Sequence, residues 1–464
     1  MRFLLTILLI LPVLTMGQLN IRSFGARESI ADNSPFIQMA IDSAVRSGRS
    51  VYIPVGRFRV GKPLVVSAWG GKAYSQVFIK IYGESTMWDR NNLSILEATF
   101  TDAPLLSIQL GKGCIIQGIN FVGRWTAPGS PYMKSMDEYK DPNTRDSRYS
   151  PYAAIAIDPF CYQVPADGGY PSLKSFYRGE PQRSGSTGVI VRDCAFRGFT
   201  VGAITSPNGF TQNAELITFE NIQIQNCKIG FAGCQDQEKM NRIINLGAWG
   251  TTHTVFAFNK YGAGTPGNWV IDGVNVAGDV YQILHRFSGG YFPLFMTNVY
   301  AESIFQFGYW QSYVGDALSN FVLDFSYPEE HGALPKAHFE GGGVALNNGV
   351  IRNYGTANPI VLMGGKDWEG QKYNLRDVRT TESLGSTPTI IQAYQYGIPV
   401  GMSEADFSNY DVRKGQIIGG DSARAAVILD GANSLVGYAQ LEGKKVKWRS
   451  FTLKDGTYKI AFIK

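Results

Sequence analysis

The chain has 464 residues, of which 17% are charged and 13% aromatic, with 53 glycines; it is too rich in rings and too poor in charge for disorder, and too long for one ordinary compact core. A formal net charge of +5 with no dense Lys/Arg stripe outside the last thirty residues excludes a nucleic-acid footprint, while permitting an acidic glycan as partner. Five cysteines without short CxxC pairs argue against a disulfide framework or a zinc module, and are read as small apolar side chains on stacked strands.

In chain order, Arg2 followed by the uncharged run from Phe3 to Met16 and the small Gly17 predicts a signal peptide over 1–17, a mature protein from Gln18, and export to the extracellular space or periplasm. That run falls short of the ~18 to 20 apolar residues a membrane span needs, and nothing later comes closer. Ser34-Pro35 then predicts a helix start, with Ile37, Ala40, Ile41, Ala44 and Val45 on one stripe ending before Gly48. Such a helix would plug the first coil of a repetitive fold. No Pro- or Ser-rich linker divides 18–434, so it is read as one domain carrying a long loop excursion over 124–187. Within the excursion only Tyr152 to Asp158 is strand-like. The flanking loops carry Trp125, Tyr132, Tyr149 and Tyr177, side chains that suit either a sugar-binding wall or packing of the loops on the body.

The body of the chain repeats weakly. An apolar strand ends on Asn or Asp at 193, 221, 245, 272, 298, 324, 348 and 377, a spacing of 24 to 29 residues that is too long for a hairpin and right for one coil of a three-stranded solenoid. Asn and Asp tolerate left-handed backbone and bond to nearby main chain, so these positions predict a stacked corner ladder rather than catalytic acids. A second apolar segment follows each corner. Period-two alternation puts Val201 and Ala203, Ile229 and Phe231, Val255 and Ala257, Tyr281 and Ile283, and Phe305 and Phe307 inside, and the residues between them in solvent. The fold class expected is therefore all-β, a right-handed single-stranded parallel β-helix with an N-terminal capping helix. The final 435–464, with an Asp455-Gly456 turn, reads as a small antiparallel β cap whose lysines are a solvated edge.

Beyond the second strand of each coil lie turns of unusual chemistry: Gln235, Asp236 and Glu238, then Lys260 and Tyr261, His285 and Arg286, and Tyr309 and Trp310. Stacking would gather them into one exposed column. Hydrolysis of a glycoside needs one carboxyl to protonate the leaving oxygen and another to activate water or attack carbon, which Asp236 and Glu238 could supply. Elimination needs a base such as Lys260, Tyr261 or His285 and a cation such as Arg286 to neutralise a uronate. Gln235, Tyr261, Arg286, Tyr309 and Trp310 are the expected substrate contacts. His253, on a turn after Gly250, is read as a satisfied structural histidine rather than a second site. The four histidines show no metal-ligand spacing, and no cofactor is expected; a calcium site has no specific support.

Phe24-Gly25-Ala26, the helix from Pro35 to Ser47, the stretch Val51 to Phe58 and Ile81-Tyr82-Gly83-Glu84 together resemble the opening of the pectate-lyase-like β-helix superfamily, shared by rhamnogalacturonase-like proteins and tailspikes. The resemblance covers roughly residues 20 to 85 and implies fold and a carbohydrate context, not a reaction. The acidic stretch usual before the helix is here Arg27 to Asn33, and the adjacent Asp pair, Gly-His-Gly and Arg-Ile-Lys of polygalacturonases are missing, as are pectate-lyase signatures. Arg178 to Arg183 only approaches the arginine motif of those lyases. The function expected is an extracellular polysaccharide-degrading enzyme, with hydrolysis placed ahead of elimination. The alternative is a non-catalytic adhesive β-helix of tailspike type, and either a monomer or a homotrimer fits.

Overall fold

A computed structural model describes residues 17–67, 76–85, 93–126, 152–159, 185–205, 214–233, 239–250, 252–258, 268–278, 280–287, 292–325, 337–352, 360–364, 373–381, 390–395, 404–406, 425–430, 435–442, 445–447 and 459–463. Residues 1–16 of the expected signal segment and the expected Asp455-Gly456 turn lie outside these residues. No described helix is long and apolar enough to cross a membrane. The described residues form two compact units, the first up to Thr252 and the second from His253 onward, with Asn268 and Trp269 belonging to the first.

In the first unit, three parallel sheets grow strand by strand. The first sheet pairs Gln18–Asn20, Ser50–Tyr52, Lys80–Tyr82 and Ile115–Gln117 in parallel, then continues on the opening halves of Ile190–Arg197, Thr218–Gln225 and Asn241–Trp249. The closing halves of those last three strands belong to the second sheet, which begins with Gly56–Val60, Ser94–Ala98 and Asn120–Val122. The third sheet is Leu64–Val66, Leu106–Ile108, Ala153–Ile157, Val201–Thr205 and Ile229–Gly233. The strand expected inside the excursion is thus present. Phe231 of the third sheet meets Phe196 of the second at 6.3 Å and Phe219 of the first at 4.8 Å between ring centroids, so its row faces the shared core. Each such pair adds about 0.5 to 1.5 kcal/mol beyond area burial.

The corner between first and second sheets is a single left-handed residue. Asp193, Asn221 and Asn245 take φ of 55°, 53° and 54°, and their side chains bond in sequence, Asn221 Nδ2 to Asp193 Oδ1 at 3.0 Å and Asn245 Nδ2 to Asn221 Oδ1 at 3.2 Å. In the second unit Asn298, Asn348 and Asp377 also take left-handed φ, of 56°, 49° and 55°. Two expected corners are corrected. Gly273 (φ 76°) takes the left-handed turn beside Asp272, because glycine does so without a Cβ penalty, although Asp272 still accepts a bond from Asn298 at 2.7 Å. Asn320 (φ 53°), not Asp324, is the next corner, fixed by the 2.7 Å bond from Asn348. The apolar run Phe321 to Leu323 lies after the corner rather than before it.

A second column of left-handed residues precedes the first sheet. Gly113 and Gly188 (φ 67° each) donate to Thr187 and Glu215 carbonyls, and Leu216 (φ 59°) donates to Lys239 in the same pattern; Met240 (φ 55°) follows in line.

The helix α1, Ser34–Ser47, buries Ile37, Ala40, Ile41 and Ala44 as its stripe requires. Its N-terminus is held by Asp32 rather than by the expected Ser34: Asp32 Oδ1 accepts Ser34 N at 2.9 Å, the Ser34 hydroxyl, and Gly61 N at 2.7 Å. On its packed side Gln38 donates to Val65 O at 2.8 Å and accepts from Val65 N at 2.9 Å. The amide thereby imitates a neighbouring strand for the Leu64–Val66 edge.

Buried Asp158 (φ 51°) closes the neck of the excursion. Its Oδ1 accepts Leu110 N and the Ser186 hydroxyl at 2.9 Å each, and Oδ2 accepts Ser186 N at 2.6 Å. Burial pushes its carboxyl above the ordinary value, against the bonds from Ser186 and Leu110. Cys114, Cys194 and Cys227 are buried unbridged thiols pushed up by burial to about 11, 12 and 12, in keeping with an apolar role. Cys161 and Cys234 lie outside the described residues.

In the second unit the third sheet runs through Val280–Phe287, the openings of Gln306–Asp324 and Phe339–Arg352, Ile360–Gly364 and Ile390–Gln395. Antiparallel pairing takes over at the end: Lys459–Ile463 pairs with Ile390–Gln395 and with Ala425–Leu429, which also pairs with Leu435–Glu442. Glu404–Asp406 and Leu435–Glu442 each pair with Lys445–Lys447. The cap therefore draws on strands upstream of the expected start at 435.

Candidate functional site

The second unit's third sheet has a definite inside and outside. Phe339 packs on Phe325 and Tyr373, which come from the strands on either side of it in the chain, so its row is interior. Register places Leu284, Gly308 and Leu362 in that row, and Arg286, Trp310, Gly341 and Gly364 in the next interior one. The alternate positions Tyr281, Ile283, His285, Tyr309 and Glu340 then face out. This reverses the expected parity for Tyr281, Ile283 and Phe305. The alternation misleads here because both sets are largely apolar and because Gly308 (φ 120°) inserts a kink that turns Phe307 inward against Phe339 at 4.8 Å. In the first unit the inward set Val201, Ala203, Ile229 and Phe231 is buried as expected, but so are Ile204 and Ala232 between them; both faces of that sheet are covered.

Two rows of stacked rings stand on the outer face. His253, Tyr281 and Phe305 stack at 4.7 and 4.8 Å, with Tyr281 and Phe305 half-buried. His253 is buried and shares a 2.9 Å hydrogen bond between Nδ1 and the Thr254 hydroxyl, as its structural reading anticipates. Four residues along, His285 stacks on Tyr309 at 5.4 Å, and Glu340 is next in register. The Tyr309 hydroxyl donates to Gln311 Oε1. His285 is only 3% exposed, whereas Tyr309 and Glu340 are half-buried. Standing rings present their edges, so the row offers an imidazole, a phenol and a carboxylate about one strand spacing apart (~4.8 Å), with the Gln311 amide beside the phenol on the same strand.

The expected site divides accordingly. His285 and Tyr309 do share one surface. Arg286 and Trp310 do not, and this corrects their reading as an exposed cation and platform. Both are 0% exposed: Arg286 Nε lies 2.8 Å from Asp316 Oδ2, and Trp310 Nε1 donates to the same oxygen at 2.7 Å. They alternate with His285 and Tyr309 and so must point the other way. Gln235, Asp236, Glu238, Lys260 and Tyr261 lie outside the described residues. Glu340 and Asp316 were missed from sequence; the Gly341 to Gly343 run directly after Glu340, all at positive φ, was the available signal of an unusual backbone there. Among the described residues no group of His, Cys, Asp and Glu is arranged to hold a metal ion.

The fold is a parallel β-helix. The β-helix is similar to DFA-IIIase from Arthrobacter chlorophenolicus A6 without its lid, at 11% identity and TM-score 0.50, over 79% of this chain and 90% of that one. It is also similar to the N-terminal fragment of gene product 12 of bacteriophage Phi29, at 14% identity and TM-score 0.48 over 82% of this chain, and it spans 65% of that phage chain. Endo-xylogalacturonan hydrolase from Aspergillus tubingensis matches at 10% identity and TM-score 0.46, over 79% of this chain and 93% of that one. At such identities the likeness is one of fold. No family model matches the chain, and no curated protein matches it.

Proposed function

We propose that this β-helix is a secreted carbohydrate-active protein that grips an acidic or decorated polysaccharide across the outer face of its third sheet and cleaves it by hydrolysis. The observation that carries the reading is the outward row His285, Tyr309 and Glu340, lying beside the His253, Tyr281 and Phe305 stack. Sugar hydroxyls need closely spaced hydrogen-bonding groups on apolar bodies, and ring edges supply both. In this reading Glu340 is the carboxyl that hands a proton to a leaving oxygen, with Asp236 or Glu238 as the partner that activates water or attacks carbon. Hydrolysis stands ahead of elimination because Arg286, the cation elimination would use, is sealed from solvent and neutralised by Asp316. The adhesive reading keeps one specific support: among the described residues of the row, Glu340 is the one carboxylate.

The test incubates the protein with a panel of neutral and uronic-acid polysaccharides and follows new reducing ends together with absorbance of an unsaturated uronate. Reducing ends without the chromophore are expected, and Glu340→Gln should lower the rate by about 10²- to 10⁴-fold while binding persists. The chromophore would instead mean elimination, and binding without either signal would mean an adhesin.

A further inference from the structure

Arg286, Trp310 and Asp316 form a charged knot sealed inside the β-helix. Asp316 Oδ2 forms an ion pair with Arg286 Nε at 2.8 Å and accepts the Trp310 indole N–H at 2.7 Å, while Oδ1 accepts Leu294 N at 2.8 Å. Arg286 Nη2 donates to Phe292 O at 2.7 Å, and Asp316 N donates to the Ser312 hydroxyl at 3.3 Å. All three side chains of the knot are 0% exposed. A buried ion pair adds little to stability over a well-packed apolar replacement, so its value lies in geometry: it accepts one arrangement of its members, where oil-like contacts accept many. That arrangement is directly coupled to the outer row. Arg286 and Trp310 are paired across adjacent strands, and the residues one peptide before each, His285 and Tyr309, are paired on the opposite face. Rotating or sliding either strand to loosen the knot necessarily shifts an outward ring. Gly341 continues the interior row, and a Cβ there would come within 2.5 Å of the Trp310 carbonyl oxygen, which holds the Trp310 backbone tightly against the next coil.

We propose that Asp316, through Arg286 and Trp310, is a positioning residue that sets the His285 and Tyr309 rings in register from the inside of the sheet. In its functional half the proposal rests on the reading of the outer row as a glycan site; its geometric half does not. No member of the knot touches substrate.

The test replaces the pair by apolar side chains of similar size, Arg286→Met with Asp316→Leu, in protein labelled with ¹⁵N-histidine. The variant is expected to melt within a few degrees of the parent, because the ion pair is not what holds the fold up. The His285 imidazole cross-peaks should nevertheless move while those of His253 stay in place. On whichever glycan the parent cleaves, kcat should fall by up to about a hundredfold with KM little changed, as for a misplaced catalytic group. Trp310→Phe, which removes only the indole N–H, should move the same His285 signals by less, and decides the matter if the double variant does not fold. Unmoved His285 signals in the variants that fold would overturn the proposal. If the parent neither binds nor cleaves any glycan, the functional reading falls by itself, and the ring signals still decide whether Asp316 positions the row.

Discussion

Leu216 and Met240 hold a backbone conformation that costs an L-residue roughly 1 to 2 kcal/mol, at positions that Gly113 and Gly188 fill in the preceding coils. Their side chains are 47% and 56% exposed, so truncation forfeits little burial. Leu216→Gly and Met240→Gly should each raise stability by about 1 kcal/mol, less whatever the unfolded chain gains in freedom, as read by urea unfolding. Asp32 acts in the opposite sense. Burial disfavours its ionised form, but bonds from Ser34 and Gly61 and the nearby Lys62 charge outweigh that and hold its pKa below the ordinary 3.8. A lowered folded value means its contribution is whole above that pH and is lost as the pH falls through the lower one. Asp32→Ala should therefore cost about 1 kcal/mol at neutral pH, and the gap between variant and parent melts should close in acid.

Among the elements, the corner ladder is the one the sequence wrote most clearly, since few residues enter left-handed backbone cheaply and Asn recurs there. Asn221 is its best probe, for it donates to Asp193 and accepts from Asn245. Asn221→Gly keeps the turn and loses the bonds, while Asn221→Ala loses both. The first should cost about 1 kcal/mol and the second about 1 kcal/mol more, so thermal melts of the pair separate bond from backbone. The helix α1 was equally legible from its stripe, whereas its true cap was not. Asp32 stands two residues before Ser34 and acts partly through Gly61, a contact that exists only once the coil has closed.

Across the molecule, coils and caps were legible because a solenoid repeats its local rules, and each coil answers chiefly to its neighbours. Which side of a strand faces out was harder. A sheet covered on both faces carries no polar alternation to read, and a local kink such as Gly308 can turn a single residue, Phe307, against the parity of its strand. That is why Tyr281 was expected inside and Trp310 outside. That His285 and Tyr309 share a row was legible because they stand at corresponding places in successive coils. Asp316 could not be found that way, since an acid after a glycine reads as a turn until the Arg286 guanidinium is seen against it.

The bonds of Asp158 to Leu110 and Ser186 have a consequence for how such a chain can change over time. They fasten the two ends of 160–184 to the coil below before anything is asked of the segment itself. Joining ends that are already fastened costs little extra for added length, only about 0.6 kcal/mol for each doubling. At this place the stack is thus a chassis with a socket, into which an insertion of different length and sequence can be fitted without recutting the coils on either side.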